Sequence, residues 1–149
     1  VLQQLPVLPN VRYPVLVPNL KGFELAAAAG AREVAVFTTS SELFSQKNTN
    51  CSVAESIVRV AEVIDAAKKQ NMRVRAYLSC VLGCPYEGEM SAHKVADLAR
   101  KMHELGADEI SLGDTIGVGT PLKVKALIQA VSEHVPVTQI AVHFHDTYG

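Results

Sequence analysis

A chain of 149 residues has room for one respectable core, and 48% hydrophobic with 19% charged residues is the balance of an ordered globular protein rather than a disordered one. A formal net charge of −1 leaves no broad basic surface to neutralise a phosphate backbone, so nucleic acid is not an expected partner. No apolar run approaches the roughly 20 residues that span a bilayer, and Cys51, Cys80 and Cys84 form too sparse and odd a set for a secreted disulfide framework, which favours a reducing compartment.

Apolar β-rich runs alternate with amphipathic stretches along the whole chain, the pattern of a parallel sheet with helical crossovers. The first strand is predicted near Tyr13–Pro18, followed by a short helical pattern that includes Ala26–Ala29 and stops at Gly30. A second strand follows near Glu33–Thr38, then a long polar loop through Ser40, Ser41, Gln46, Lys47, Asn48, Asn50 and Ser52. Ser52 and Glu55 have capping-box spacing, and Val53, Ile57, Val60, Ile64 and Ala67 continue as one apolar stripe, predicting a helix from about Val53 to Gln70. After a strand near Arg73–Ser79, Ser91 is expected to cap a helix in which Val95, Leu98, Met102 and Leu105 repeat before Gly106 supplies a left-handed stop. A fourth strand is expected near Glu109–Gly113. Thr120 and Pro121 then open a third long helix with Val124, Leu127, Ile128 and Val131 facing inward, and a last strand covers Gln139–His145.

Ala29-Gly30-Ala31-Arg32-Glu33-Val34 resembles Leu105-Gly106-Ala107-Asp108-Glu109-Ile110, each a glycine that ends a helix and two residues that lead into a strand. Such turns also serve open doubly wound sheets, so the repeat does not choose between barrel and open sheet. Eight β/α units need roughly 250 residues, whereas five strands are found here and the last has no following helix to cover it. The expectation is therefore an α/β chain forming part of a (β/α)8 TIM barrel, with residues 1–149 a central fragment of a single catalytic domain that lacks its first two units and its last.

His143 and His145 are two apart on a predicted strand, so both imidazoles point to one face and can reach one metal ion, while Phe144 points to the other. The pair sits at the carboxyl end of its strand, where parallel α/β folds place their sites. Asp146 follows at once and can orient a ligand or cap the strand end. Asp114 ends the preceding strand on the expected rim, where an aspartate can ligate metal, orient a ligand, transfer a proton or cap the following turn. Cys80 and Cys84 follow another strand, but with no second pair and no neighbouring histidine they argue for neither structural zinc nor a thiolate nucleophile. The polar loop after the second strand, with its amides and Lys47, suits a polar or phosphate-bearing ligand. His93, His103 and His134 are expected on solvated helix faces.

In chain order, Asn19-Leu20-Lys21-Gly22-Phe23-Glu24, Leu82-Gly83-Cys84-Pro85-Tyr86-Glu87-Gly88, Leu112-Gly113-Asp114-Thr115-Ile116-Gly117 and the His143-to-Gly149 segment resemble the hydroxymethylglutaryl-CoA lyases. The last two segments are shared with related barrel synthases and aldolases, whereas the first two point more narrowly to the lyases. The resemblance implies cleavage of 3-hydroxy-3-methylglutaryl-CoA to acetyl-CoA and acetoacetate with a divalent metal, Mg2+ or Mn2+. It implies that His143 and His145 are metal ligands, that Asp114 is the catalytic aspartate and that Asn48 binds substrate. It implies an acyl-CoA partner, a homo-oligomer of the full-length protein, and a cytoplasmic location, or the mitochondrial matrix in a eukaryote.

The family also supplies an Arg-Asp pair from the first barrel strand, and a cysteine-bearing glycine-rich loop and an asparagine ligand from its final part; none is found here. The chain alone is thus expected to bind metal weakly and to lack lyase activity. The main rival is an isopropylmalate- or homocitrate-synthase-like condensing enzyme, and a rival of another class is a non-catalytic α/β binding module with an open sheet.

Overall fold

The computed structural model describes residues 2–6 and 8–147. Strand β1 (Val15–Leu16) leads to helix α1 (Leu20–Ala28), and β2 (Glu33–Thr39) is followed by two helices, α2 (Glu42–Thr49) and α3 (Val53–Lys69). After β3 (Arg73–Ser79) a small antiparallel hairpin, β4 (Gly83–Cys84) with β5 (Gly88–Glu89), precedes α4 (Ala92–Glu104). Strand β6 (Glu109–Asp114), helix α5 (Pro121–Ser132) and strand β7 (Ile140–Phe144) complete the chain.

The five longer-range strands form one parallel sheet in the order β1-β2-β3-β6-β7. That order never reverses along the chain. A doubly wound sheet reverses at its switch point, whereas a barrel adds each strand beside the last, so the topology is that of a barrel segment.

The predicted boundaries hold closely for four of the strands, while β1 pairs over only two residues of its predicted span. The Ser52 capping box forms as expected, with the Ser52 hydroxyl accepting from the Glu55 amide and the Glu55 carboxylate accepting from the Ser52 amide. Two expectations are corrected. The segment read as a polar loop folds as α2, because the Ser41 hydroxyl caps the Phe44 amide and Asn50 closes the helix in the left-handed conformation at φ 51°. Its polar composition hides the helix, since caps rather than an apolar stripe define it. Ser91 precedes α4 but makes no side-chain capping bond, and α4 is held instead by burial of Val95, Ala96, Leu98, Ala99 and Met102.

The core lies between one face of the sheet and the helices. Val34, Val36, Val74, Ala76, Leu78, Ile110 and Leu112 from the strands meet Val60, Val63, Ile64 and Ala67 of α3, the buried face of α4, and Leu127 and Val131 of α5. Each large side chain buried this fully contributes about 1.5–3 kcal/mol. The opposite face carries Phe37 from β2, Arg75 and Tyr77 from β3, and Glu109 and Ser111 from β6, with Arg75 paired to Glu109 at 3.0 Å. This polar, alternating face is what a barrel turns inward. Among the described residues no helix is long and apolar enough to cross a membrane.

Candidate active site

All five strands are parallel, so their carboxyl ends meet at one rim. On β7, His143 pairs in register with Gly113, and Phe144 pairs with Asp114. Registered neighbours in a parallel sheet share a face, so His143 lies on the inner face with Gly113. His145 follows one residue beyond the strand. The two imidazoles are T-shaped with ring centroids 5.1 Å apart, and both are exposed. The two rings are thus neighbours, although β7 ends at Phe144 and His145, expected on the strand, lies just beyond it.

The ring nitrogens of His145 are not equivalent. Its Nδ1 lies 2.9 Å from the Thr115 carbonyl oxygen. A carbonyl only accepts, so Nδ1 must carry the proton, and Nε2 is left with its lone pair for a metal ion. The donor set therefore suits a divalent cation, but only in part. Among the described residues no cluster of three or more His, Cys, Asp or Glu side chains is arranged to hold a metal.

Asp114 is not gathered with the histidines. It is 2% exposed and shares the helix-side face with Phe144, which packs on the core. Its carboxylate accepts from the Val118 amide at 3.2 Å and the Gly119 amide at 2.7 Å. Of the four roles open to it on sequence, the one its hydrogen bonds display is the cap of the following turn.

Asn48 is exposed on the last turn of α2 and lines a cleft of about 290 Å3 with Asn19, Phe37, Thr39, Phe44 and Ser79. The buried Ser45 hydroxyl, which has no hydrogen-bond partner, also lines it. This cleft opens at the ends of β1, β2 and β3. The histidine pair stands further along the same rim, on β7.

Two of the recognisable motifs have structural duties that sequence reasoning did not assign. Asn19 caps α1, its side-chain oxygen accepting from the Gly22 amide at 2.9 Å, and a side chain at Gly22 would meet the Pro18 ring at 2.9 Å. The Cys84-to-Gly88 segment is the turn of the β4–β5 hairpin and clasps α2. There the Glu87 carboxylate accepts from the Leu43 amide at 3.2 Å, and Lys47 reaches the Tyr86 ring, 5.1 Å from its centroid. The Ser41 hydroxyl holds the Glu87 carboxyl below its usual range, ahead of the Leu43 amide. Burial alone would raise the Cys84 thiol, but the Ser41 hydroxyl and the Tyr86 amide outweigh it and hold that thiol below its usual value; burial does raise Cys80. No histidine contact activates either cysteine in the hydrogen bonds of the described residues.

The other histidines stand apart from this rim. His93 is exposed on α4, His134 falls just beyond α5, and the Nδ1 atom of His103 is buried without a partner. Tyr148 and Gly149 of the terminal motif lie outside the described residues.

The HMGL-like family model matches residues 7–149. The chain belongs to the HMGL-like family. Among curated relatives it is 57% identical over all 149 residues to the mitochondrial hydroxymethylglutaryl-CoA lyase of Gallus gallus, of which it covers 50%. Among solved structures it superposes on the hydroxymethylglutaryl-CoA lyase of Pseudomonas aeruginosa with a TM-score of 0.95 at 51% identity, covering 99% of this chain and 49% of that one. It also matches an HMG-CoA lyase of Acinetobacter baumannii in complex with coenzyme A and 3-methylmalate, with a TM-score of 0.92 at 28% identity and coverage of 99% and 48%. This HMGL-like chain thus spans about half the length of the curated relatives it matches, and its parallel sheet is part of the lyases' TIM barrel.

Proposed function

We propose that residues 1–149 are the central part of the single barrel domain of a carbon–carbon lyase that cleaves 3-hydroxy-3-methylglutaryl-CoA to acetyl-CoA and acetoacetate with Mg2+ or Mn2+. The observation that carries this reading is the His143–His145 pair, with Nδ1 of His145 on a backbone carbonyl and Nε2 in no hydrogen bond among the described residues. The identity to lyases over the whole chain supports it.

Cleavage beside a tertiary alcohol requires loss of the hydroxyl proton as an enolate-like thioester develops. A bound divalent cation supplies the Lewis acidity that lowers the pKa of that alcohol. His143 and His145 would hold the cation at the β7 end of the rim. Asn48 offers an amide to the acyl-CoA from the α2 cleft, whose Ser45 hydroxyl is free to bond a ligand. Coenzyme A in the Acinetobacter relative supports an acyl-CoA as the partner. Asp114 contributes from the outer side of the rim. The reaction belongs to the chemistry of leucine degradation and ketone-body formation. The mitochondrial name of the chicken relative supports the matrix as the location in a eukaryote, and the cytoplasm is the proposed location otherwise. We place the full-length protein in a homo-oligomer.

The test is cleavage of 3-hydroxy-3-methylglutaryl-CoA by the full-length protein, with Mg2+ and then with the metal chelated. Activity that disappears on chelation is expected. Folded, metal-loaded protein that instead condenses acetyl-CoA with a 2-oxo acid would contradict the lyase reading. The isolated 149-residue chain, with two imidazoles toward the metal, is expected not to turn over.

A further inference from the structure

The loop from Thr115 to Gly119 bonds both to Asp114 and to the residues just beyond β7. On one side it is anchored by the Asp114 carboxylate, which takes the amides of Val118 and Gly119. On the second side the Thr115 hydroxyl accepts from the Cys80 amide at 2.8 Å, tying the loop to the end of β3. On the third it presents two carbonyls to the metal strand: Thr115 oxygen to His145 Nδ1 at 2.9 Å, and Ile116 oxygen to the Thr147 hydroxyl at 3.2 Å.

The glycines show how closely this is built. Gly117 has φ +64°, and a side chain there would overlap the Thr147 hydroxyl and come within 2.8 Å of the His145 carbonyl. A side chain on Gly119 would meet the Asp114 carboxylate and Leu82, each at 2.8 Å. Both glycines are places where backbone must approach its neighbour closely.

We propose that Asp114 is a positioning residue, which acts on the metal site through this loop: it fixes the Thr115 carbonyl, the carbonyl fixes the proton on His145 Nδ1, and Nε2 is thereby the nitrogen offered to the cation. The inference rests on the reading of His143 and His145 as the metal pair. Metal-ligating imidazoles almost always have their second nitrogen held by a carboxylate or a backbone carbonyl, and loss of that partner costs about 10–100-fold in affinity. Here the carboxylate is one step further out, joined to the imidazole by four residues of backbone. The same arrangement gives the Leu112-to-Gly117 motif a physical meaning: a strand end, an anchor, a two-sided tie and a glycine that lets β7 approach.

The experiment is a long-range proton–nitrogen correlation spectrum of full-length, metal-free protein labelled with 15N-histidine, at about pH 8, where an ordinary imidazole is neutral, together with Mn2+ titration of the same samples. His145 is assigned by loss of its signal in His145→Gln. The wild type is expected to show His145 with the proton on Nδ1 alone. Asp114→Ala is expected to show a mixture of tautomers and Mn2+ affinity lowered about 10–100-fold. Asp114→Asn keeps an acceptor oxygen and is expected to restore most of both. A wild-type His145 protonated on Nε2 would overturn the proposal without any variant having to fold. So would an Asp114→Ala protein that keeps the wild-type tautomer and Mn2+ affinity while cleavage collapses, because Asp114 would then act on substrate directly. Failure of the metal reading looks different: His143→Ala and His145→Ala would leave Mn2+ binding unchanged whatever the tautomer.

Discussion

The β2–β3 pair and the β6–β7 pair are both parallel neighbours in one sheet, yet they are held in place differently. Between β2 and β3 seven residue pairs run in register, and α3 covers them, leaving Val34, Val74, Leu78 and Ile64 at 0% exposure. Between β6 and β7 five pairs are in register, Val142 is 52% exposed, and His143 and His145 are open. Phe144 packs on the core, but the segment just beyond β7 is tied to the 115–119 loop by two hydrogen bonds, from His145 and Thr147. Burial builds the scaffold; a backbone carbonyl orients His145 of the proposed metal pair. Packing in the first pair therefore sets stability, and hydrogen bonding in the second orients the imidazoles proposed to hold the metal.

Core truncation should expose the contrast most strongly. Leu78→Ala is expected to destabilise the chain by about 2–5 kcal/mol in urea unfolding, because a buried cavity would be left between β3 and the helices. Ser52→Ala removes the cap that starts α3 and is expected to cost about 1 kcal/mol by the same assay. A third test uses pH. Burial would raise the Asp108 carboxyl, but Lys68, at 2.8 Å, and the Val74 amide, at 2.8 Å, outweigh it and hold that carboxyl below its usual range. A carboxyl depressed in the folded state contributes stability that is complete above its unfolded pKa, about 3.9, and is lost as pH falls through the lower folded value. Asp108→Asn is therefore expected to be less stable than wild type at neutral pH and to lose less on acidification below about pH 4. Parallel curves for the two proteins would remove Asp108 as a tie between β6 and the α3–β3 unit. Smallest of all, Val142→Ser is expected to change stability by no more than about 0.5 kcal/mol. A loss there as large as that of Leu78→Ala would erase the distinction between the two regions.

Much of this was readable from the residues, for reasons that follow the same division. Strands β2, β3, β6 and β7 and helices α3, α4 and α5 announce themselves through apolar period and glycine stops, because burial selects those residues. Helix α2 does not. Its polar sequence is organised by the Ser41 cap and by the hairpin that grips it, and the grip depends on Glu87 meeting Leu43 across 44 positions of chain and on Tyr86 meeting Lys47. Likewise the closeness of His143 and His145 was visible from their spacing alone. The bonds of the Asp114 carboxylate were not, because its partners are the backbone amides of Val118 and Gly119, which no residue type marks. The link from Asp114 to His145 runs through amides and carbonyls, which every residue has and no sequence marks.

The most direct test of the central claim is Mn2+ binding to the full-length protein, followed by electron paramagnetic resonance, in the wild type and in His143→Ala and His145→Ala. Each variant is expected to lose more affinity than the 10–100-fold typical of an outer partner. Wild-type affinity in both variants would contradict a metal site at the end of β7.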